Sequence, residues 1–152
     1  NTQKVIDAIL REKAPEDFHG FLILDMDHFK EVNDVYGHVM GDNVLRMLGG
    51  FLKEQFREQD VIGRIGGDEF MAMLQGALGE GQVMAVADRI LECFENLREI
   101  RMEGMGEHTF TFSAGIAFAP QDGDTFMELY QKADFALYQV KRSGRDGYRI
   151  YK

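Results

Sequence analysis

Two carboxylates stand side by side at Asp68-Glu69, directly after a glycine pair, in the stretch Arg64-Ile65-Gly66-Gly67-Asp68-Glu69-Phe70. Apolar residues flank it: Val61 and Ile62 before, Phe70, Met71, Met73 and Leu74 after. The pattern predicts a β-hairpin over about 61–75 with acidic side chains at its tip. Glycine there permits positive φ and lets a ligand approach the backbone closely. Carboxylates on a rigid turn are what a divalent metal and a polyphosphate need. An ordinary exposed turn uses the same residue types, and this segment alone does not separate the two readings. A further acid, Asp25, follows the apolar run Phe21-Leu22-Ile23-Leu24, which predicts a buried strand running into a polar loop at Asp25-Met26-Asp27. If that strand neighbours the hairpin, Asp25 and Asp68-Glu69 converge at one sheet edge. Hard carboxylate oxygens with no histidine pair or cysteine nearby suit Mg²⁺ or Mn²⁺ rather than Zn²⁺. Paired divalent ions align a polyphosphate for in-line attack by a hydroxyl.

The elements that must position these acids follow from periodicity. Residues 1–13 read as a helix with Val5, Ile6, Ile9 and Leu10 at helical spacing, ended by Pro15. Gly41-Asp42 opens a second helix, with Asp42 as its N-cap and Val44, Leu45, Met47, Leu48, Phe51, Leu52 and Phe56 as its apolar stripe. A third helix is expected over about 81–98, with Val83, Val86, Ile90, Leu91 and Phe94 inward. Thr109 to Ala119 alternates as a strand. Thr125 to Lys141 is a fourth helix, with Phe126, Leu129, Tyr130, Ala133 and Leu137 inward, and Tyr148-Arg149-Ile150-Tyr151 is a closing strand. Alternating helices and strands with one hairpin predict an α/β (α+β) fold, a mixed sheet with helices packed on it.

Composition narrows the function classes. A chain of 152 residues, 45% hydrophobic and 28% charged, suits one globular domain with a real core. No apolar run reaches the roughly 18 residues of a membrane span, and no signal peptide is visible. The lone Cys93 rules out an internal disulfide and fits a reducing, cytoplasmic setting; its neighbours make it a buried helical residue. A formal charge of −9 argues against a nonspecific nucleic-acid binder. It leaves room for a nucleotide substrate, because bound cations offset local negative charge.

Taken in order, the motifs resemble one family, the GGDEF-domain diguanylate cyclases. Gly66-Gly67-Asp68-Glu69-Phe70 is the complete signature, and Asp25-Met26-Asp27-His28-Phe29-Lys30, Asn33-Asp34, Tyr36-Gly37-His38 and Gly41-Asp42 precede it at the family's spacing. Ser113-Ala114-Gly115-Ile116-Ala117, Ala133-Asp134, Ala136-Leu137-Tyr138, Lys141 and Ser143-Gly144-Arg145 follow. The resemblance implies a palm-like mixed sheet and the condensation of two GTP to cyclic di-GMP with release of two pyrophosphates. It implies two Mg²⁺ (or Mn²⁺) per site, held by the Asp25 and Asp68 side chains and the Met26 carbonyl. The family usually has an aliphatic residue at Met26, a change that a carbonyl ligand tolerates. Either Asp68 or Glu69 would assist deprotonation of the attacking 3′-hydroxyl.

The same resemblance assigns guanine reading to Asn33 and Asp42, since guanine's N1-H and 2-amino donors suit a carboxylate and an amide. An Asx-turn at Asn33 and a helix cap at Asp42 are the plain structural alternatives. Phosphates would meet backbone N-H groups around His28 and Phe29, then Lys30, Lys141 and Arg145, although Lys141 also suits a helix C-terminus electrostatically. His38 lines the nucleotide site or serves its loop. Arg57-Glu58-Gln59-Asp60, five residues before Gly66, resembles the family's inhibitory product site, which Arg89 would complete; a surface ion pair is the alternative. Ala114 and Asp146 depart from the family's usual isoleucine and asparagine at peripheral positions.

The resemblance further implies a chain excised from a longer protein, entering just inside the family's opening motif, with a sensory or receiver module upstream. Such a module brings two catalytic domains into a homodimer, because each half-site holds one GTP and the product joins two nucleotides. No membrane contact is expected of this segment; any anchor would lie in segments outside it. Competing readings are a catalytically silent cyclic di-GMP receptor, a GTP-binding regulatory module, and a palm enzyme for another nucleotide. The intact signature weighs against the first, and Asn33 with Asp42 against the last.

Overall fold

Phe21, Leu22, Ile23 and Leu24 are all buried, because the strand they belong to lies in the middle of the sheet. The computed structural model describes residues 2–12, 18–76 and 80–152, with the backbone alone for 80–85. In chain order the elements are α1 (Thr2–Glu12), β1 (Phe18–Met26), α2 (Phe29–Tyr36), α3 (His38–Gln55), β2 (Val61–Arg64), β3 (Glu69–Gly76), α4 (Glu80–Leu97), β4 (Phe112–Ala119), α5 (Phe126–Arg142) and β5 (Gly147–Ile150). The sheet runs β2-β3-β1-β4-β5. Its pairings are antiparallel except β4 with β5, which is parallel. The mixed α/β architecture is the one the sequence predicts.

Strand alternation divides the core into two layers. On one face, Leu22, Leu24, Phe70, Ala72, Leu74, Phe112, Ala114 and Ile116 pack against α3 and α4. On the other, Phe21, Ile23, Met71, Met73, Ala117 and Ala119 pack against α1 and α5. Each buried Leu, Ile or Phe contributes on the order of 1.5–3 kcal/mol. The helix α5 approaches β4 so closely that a Cβ on Gly115 would stand 1.9 Å from the Ala133 carbonyl oxygen. That contact accounts for glycine at the centre of the Ser113-Ala117 block. Cys93 is buried, as expected, and its apolar surroundings push the thiol up to about 12.

Several expectations need correction. Asn33 does not sit in a loop: Phe29–Tyr36 is a helix, so the described residues form five helices where periodicity indicated four. Only Val32 of α2 is buried, too little apolar content for a periodic signal. Asp42 is not an N-cap. The cap of α3 is Gly37 at φ 90°, which reverses the chain between α2 and α3, and Gly41 and Asp42 lie inside the helix. The first strand starts at Phe18, earlier than the apolar run shows, and β4 begins at Phe112 rather than Thr109. Residues 112–119 are buried without alternation, because both faces of β4 are covered. Val5 of α1 is exposed while Ile6 and Leu10 are buried. Pro15 and the side chain of Val83 lie outside the described residues. Among the described residues no helix is long and apolar enough to cross a membrane.

Candidate active site

The two acidic clusters meet. β1 pairs with β3 in a register that sets Asp25 opposite Glu69. They converge at the end of the sheet where β1 finishes, and not at a lateral edge, because β1 is the central strand. The turn between β2 and β3 is closed by the Ile65 N-H to the Glu69 carbonyl at 2.8 Å, with Gly66 at φ 98°. That left-handed conformation is the reason for glycine at this position. Asp25, Asp27 and Glu69 stand on the α1/α5 side of the sheet, continuing the odd-numbered alternation of Phe21 and Ile23.

Each of these three carboxylates engages α5 or the loop after it. The Lys141 ammonium contacts Asp25 Oδ2. The Tyr130 hydroxyl donates to Glu69 Oε1 at 3.1 Å. Asp27 accepts from Thr111 Oγ1 at 2.9 Å, Ser113 Oγ at 2.6 Å and the Asp146 N-H at 2.9 Å, with Arg145 Nη1 3.9 Å from its Oδ1. Burial raises Asp25 to about 6; Lys141 opposes the shift and the nearby Asp68 carboxylate adds to it. Burial also raises Glu69, against the hydrogen bond from Tyr130. Burial, then the Glu69 charge, pushes Tyr130 up to about 12, which keeps the phenol a donor. Asp27 and Tyr130 are the residues that motif reading missed as site members. Asp27 lies two residues past Asp25, just beyond the end of β1, and so keeps to the same side of the sheet, a signal the sequence does carry.

The donor set fits a hard divalent cation. Asp25 Oδ1 is buried and has no hydrogen-bond partner among the described residues, a costly arrangement for a carboxylate unless something binds there. Among the described residues no group of three or more His, Cys, Asp or Glu could hold a metal by itself. Two carboxylates completed by phosphate oxygens and water are the usual arrangement for Mg²⁺.

His28 caps α2 in the left-handed conformation at φ 60°, which turns the chain so that the first turn of α2, Phe29 and Lys30, opens beside the end of β1. The leading N-H groups of a helix have no intrahelical partner and attract anions. Asn33 packs directly on Gly41, next to exposed Asp42, and exposed His38 is the first residue of α3. Lys141 lies in the last turn of α5 and Arg145 beyond it at φ 67°. Arg57 is exposed, and its N-H donates to Asp60 Oδ2 at 2.9 Å. Asp60 also accepts the Gln75 N-H at 3.0 Å and contacts Arg89, and its side chain is fully buried. The pair is thus internal and not a surface ion pair, and both oxygens of Asp60 are engaged within the chain.

The chain is similar to known proteins in both sequence and fold. The family model for the diguanylate cyclase GGDEF domain matches residues 2–147. Diguanylate cyclase DgcS of Shewanella oneidensis is 32% identical over 149 residues, which is 98% of this chain and 48% of that protein. The probable diguanylate cyclase DgcC of Escherichia coli is 37% identical over 125 residues, 82% of this chain and 33% of that protein. The chain therefore spans half or less of the length of these relatives. Among solved structures, the GGDEF domain of TpbB (YfiN) from Pseudomonas aeruginosa superposes with a TM-score of 0.82 at 32% identity, covering 99% of this chain and 87% of that one. The GGDEF domain of DgcB from Caulobacter crescentus, solved in complex with c-di-GMP, has a TM-score of 0.79 at 26% identity, covering 97% and 86%. On this agreement of motifs, fold and relatives, the chain belongs to the GGDEF-domain diguanylate cyclase family.

Proposed function

We propose that the chain condenses two GTP into cyclic di-GMP, releasing two pyrophosphates. The observation that carries this reading is the register that sets Asp25 opposite Glu69, with Asp68 close enough to raise Asp25 further. Asp25, Asp68 and the Met26 carbonyl would hold two Mg²⁺ or Mn²⁺, which supply charge neutralisation on the triphosphate and a lowered pKa for the attacking hydroxyl. The chain's own residues do the rest. Asp68 or Glu69 takes the 3′-hydroxyl proton. Lys30, Lys141, Arg145 and the N-H groups of His28 and Phe29 orient the phosphates. Asn33 and Asp42 read the guanine edge, and His38 lines the same side. No covalent intermediate is required; positioning and electrostatics lower the barrier.

One chain presents one nucleotide, so turnover takes a two-fold encounter of two copies and two reciprocal attacks. Product would rebind at the exposed Arg57, with Arg89 and Asp60 beneath it, and slow the enzyme. An upstream sensory or receiver module would set how often two copies meet. The chain is read as a single catalytic domain, residues 1–152, working in the cytoplasm. The deciding experiment fuses it to a dimeric coiled coil, supplies GTP and Mg²⁺, and separates the nucleotides by chromatography. Cyclic di-GMP that disappears in Asp68→Ala is the expected result. Tight cyclic di-GMP binding without turnover would replace the enzyme by a receptor.

A further inference from the structure

Glu69 is the first residue of β3, directly after the turn. A carboxylate at such a place keeps free side-chain torsions unless something fixes it. Tyr130 does so, donating its hydroxyl hydrogen to Glu69 Oε1 at 3.1 Å across 61 residues of sequence. The phenol is itself braced from behind. Its ring packs on Phe126 with centroids 5.7 Å apart, and Phe126 meets fully buried Phe21 edge-on at 5.8 Å. The Phe126 N-H is tied to Asp7 Oδ1 of α1 at 2.8 Å. An aromatic column thus runs from the middle of β1 through α5 to the hairpin turn. Tyrosine suits the task, because two torsions carry its hydroxyl far from the helix at little entropic cost. Tyr130 and Lys141 are eleven residues apart, about three helical turns, so one face of α5 holds both Glu69 and Asp25.

We propose that Tyr130 is a positioning residue: its hydroxyl holds the Glu69 carboxyl with Oε1 engaged and Oε2 presented to the reacting centre, and this sets the turnover rate. The proposal rests on the cyclase reading of Glu69. Orientation errors of about 1 Å at a reacting centre cost up to 10²-fold in rate, whereas a residue that only stabilises the fold moves the unfolding midpoint instead.

The test uses Tyr130→Phe, which removes one oxygen and keeps the ring stack, in the coiled-coil dimer with GTP and Mg²⁺. The expected result is kcat lower by about tenfold, KM for GTP within about twofold, and an unfolding midpoint close to the parent's. A second measurement is independent of turnover. The Glu69 carboxyl ¹³C resonance, assigned by its loss in Glu69→Gln, should move in Tyr130→Phe while the other glutamate carboxyls stay in place. An unmoved Glu69 resonance, or an unchanged kcat in an active dimer, overturns the proposal. So does a rise in KM alone. A parent dimer that makes no cyclic di-GMP overturns the cyclase reading, and with it the catalytic role of Tyr130, even where the moved resonance demonstrates the hydrogen bond.

Discussion

The ammonium of Lys141 rests on the carboxylate of Asp25, at the buried end of the central strand. The contact does not hold that acid down: burial outweighs the lysine and leaves Asp25 at about 6, against an ordinary 3.8. This has a consequence for stability with a definite sign. Between 3.8 and about 6 the folded chain keeps a proton that the unfolded chain has lost. Stability therefore falls as pH rises through that window and stays lower above it.

Asp25→Asn removes the loss. In metal-free buffer the variant should be more stable than the parent near neutral pH by about 1–2 kcal/mol, after allowance for the partial solvent contact of the carboxyl. The advantage should shrink toward about pH 4. Urea midpoints at the two pH values check this, and an advantage independent of pH would defeat it. The same variant should make no cyclic di-GMP, the usual opposition of stability and function at a site that holds charge for chemistry.

Asp27→Ala should act in the other direction. Its side chain is fully buried and accepts from Thr111, Ser113 and the Asp146 N-H. Truncation strands all three donors, at a cost of about 3 kcal/mol. Ser113→Ala, which removes one donor, should cost about 1 kcal/mol. The loop bearing Arg145 loses its anchor only in the first variant, so KM for GTP should rise there and not in Ser113→Ala. Denaturation curves and GTP kinetics on both variants separate the two effects; an equal KM in both would dissociate Arg145 from Asp27.

The hairpin, Asp25 and α5 were legible in the sequence because their signals are local: turn glycines between two apolar runs, a short apolar strand, and a stripe from Phe126 to Leu137. What was not legible depends on distant partners. The ligands of Asp27 lie 84 to 119 residues away, and Tyr130 read only as a core position of its helix. The helix α2 escaped because Val32 is its one buried residue, so burial gives it no period. Gly41 looks like a helix breaker in the sequence, which makes Asp42 read as a cap. In the fold Gly37 makes the turn, and Gly41 serves close packing instead. Arg57, Asp60 and Arg89 are grouped in the sequence only by the resemblance to the family. That Asp60 is buried beneath the group is a tertiary fact.

That burial separates two arginines of the same group. Arg89→Ala leaves the Asp60 carboxylate buried without its cation and should cost about 3 kcal/mol. Arg57 is exposed, and its contact with Asp60 uses the backbone N-H, which alanine retains. Arg57→Ala should therefore leave stability within about 0.5 kcal/mol. It should weaken product inhibition with the initial rate nearly unchanged. Thermal melts and progress curves with added cyclic di-GMP test both statements, and inhibition equal to the parent's in Arg57→Ala would remove the product site from this arginine.

Gly41→Ala poses the sharpest contrast between stability and binding. Alanine favours a helix interior over glycine by about 1 kcal/mol, and Gly41 lies within α3. Its Cβ would stand 1.8 Å from Asn33 Oδ1 and 3.3 Å from the Phe29 ring. The amide ends a flexible side chain and can swing away at little cost, so the fold should hold or gain stability. Base recognition should weaken with the displacement, because a guanine contact depends on the amide's position to within a few tenths of an ångström. GTP affinity should fall about tenfold, the order of one lost hydrogen bond to a desolvated partner, and the preference for GTP over ATP should narrow. Calorimetric GTP titration beside a thermal melt reads both quantities on one sample. A variant that melts higher yet binds GTP as the parent does would show that Asn33 is packing for Gly41 and takes no part in reading the base.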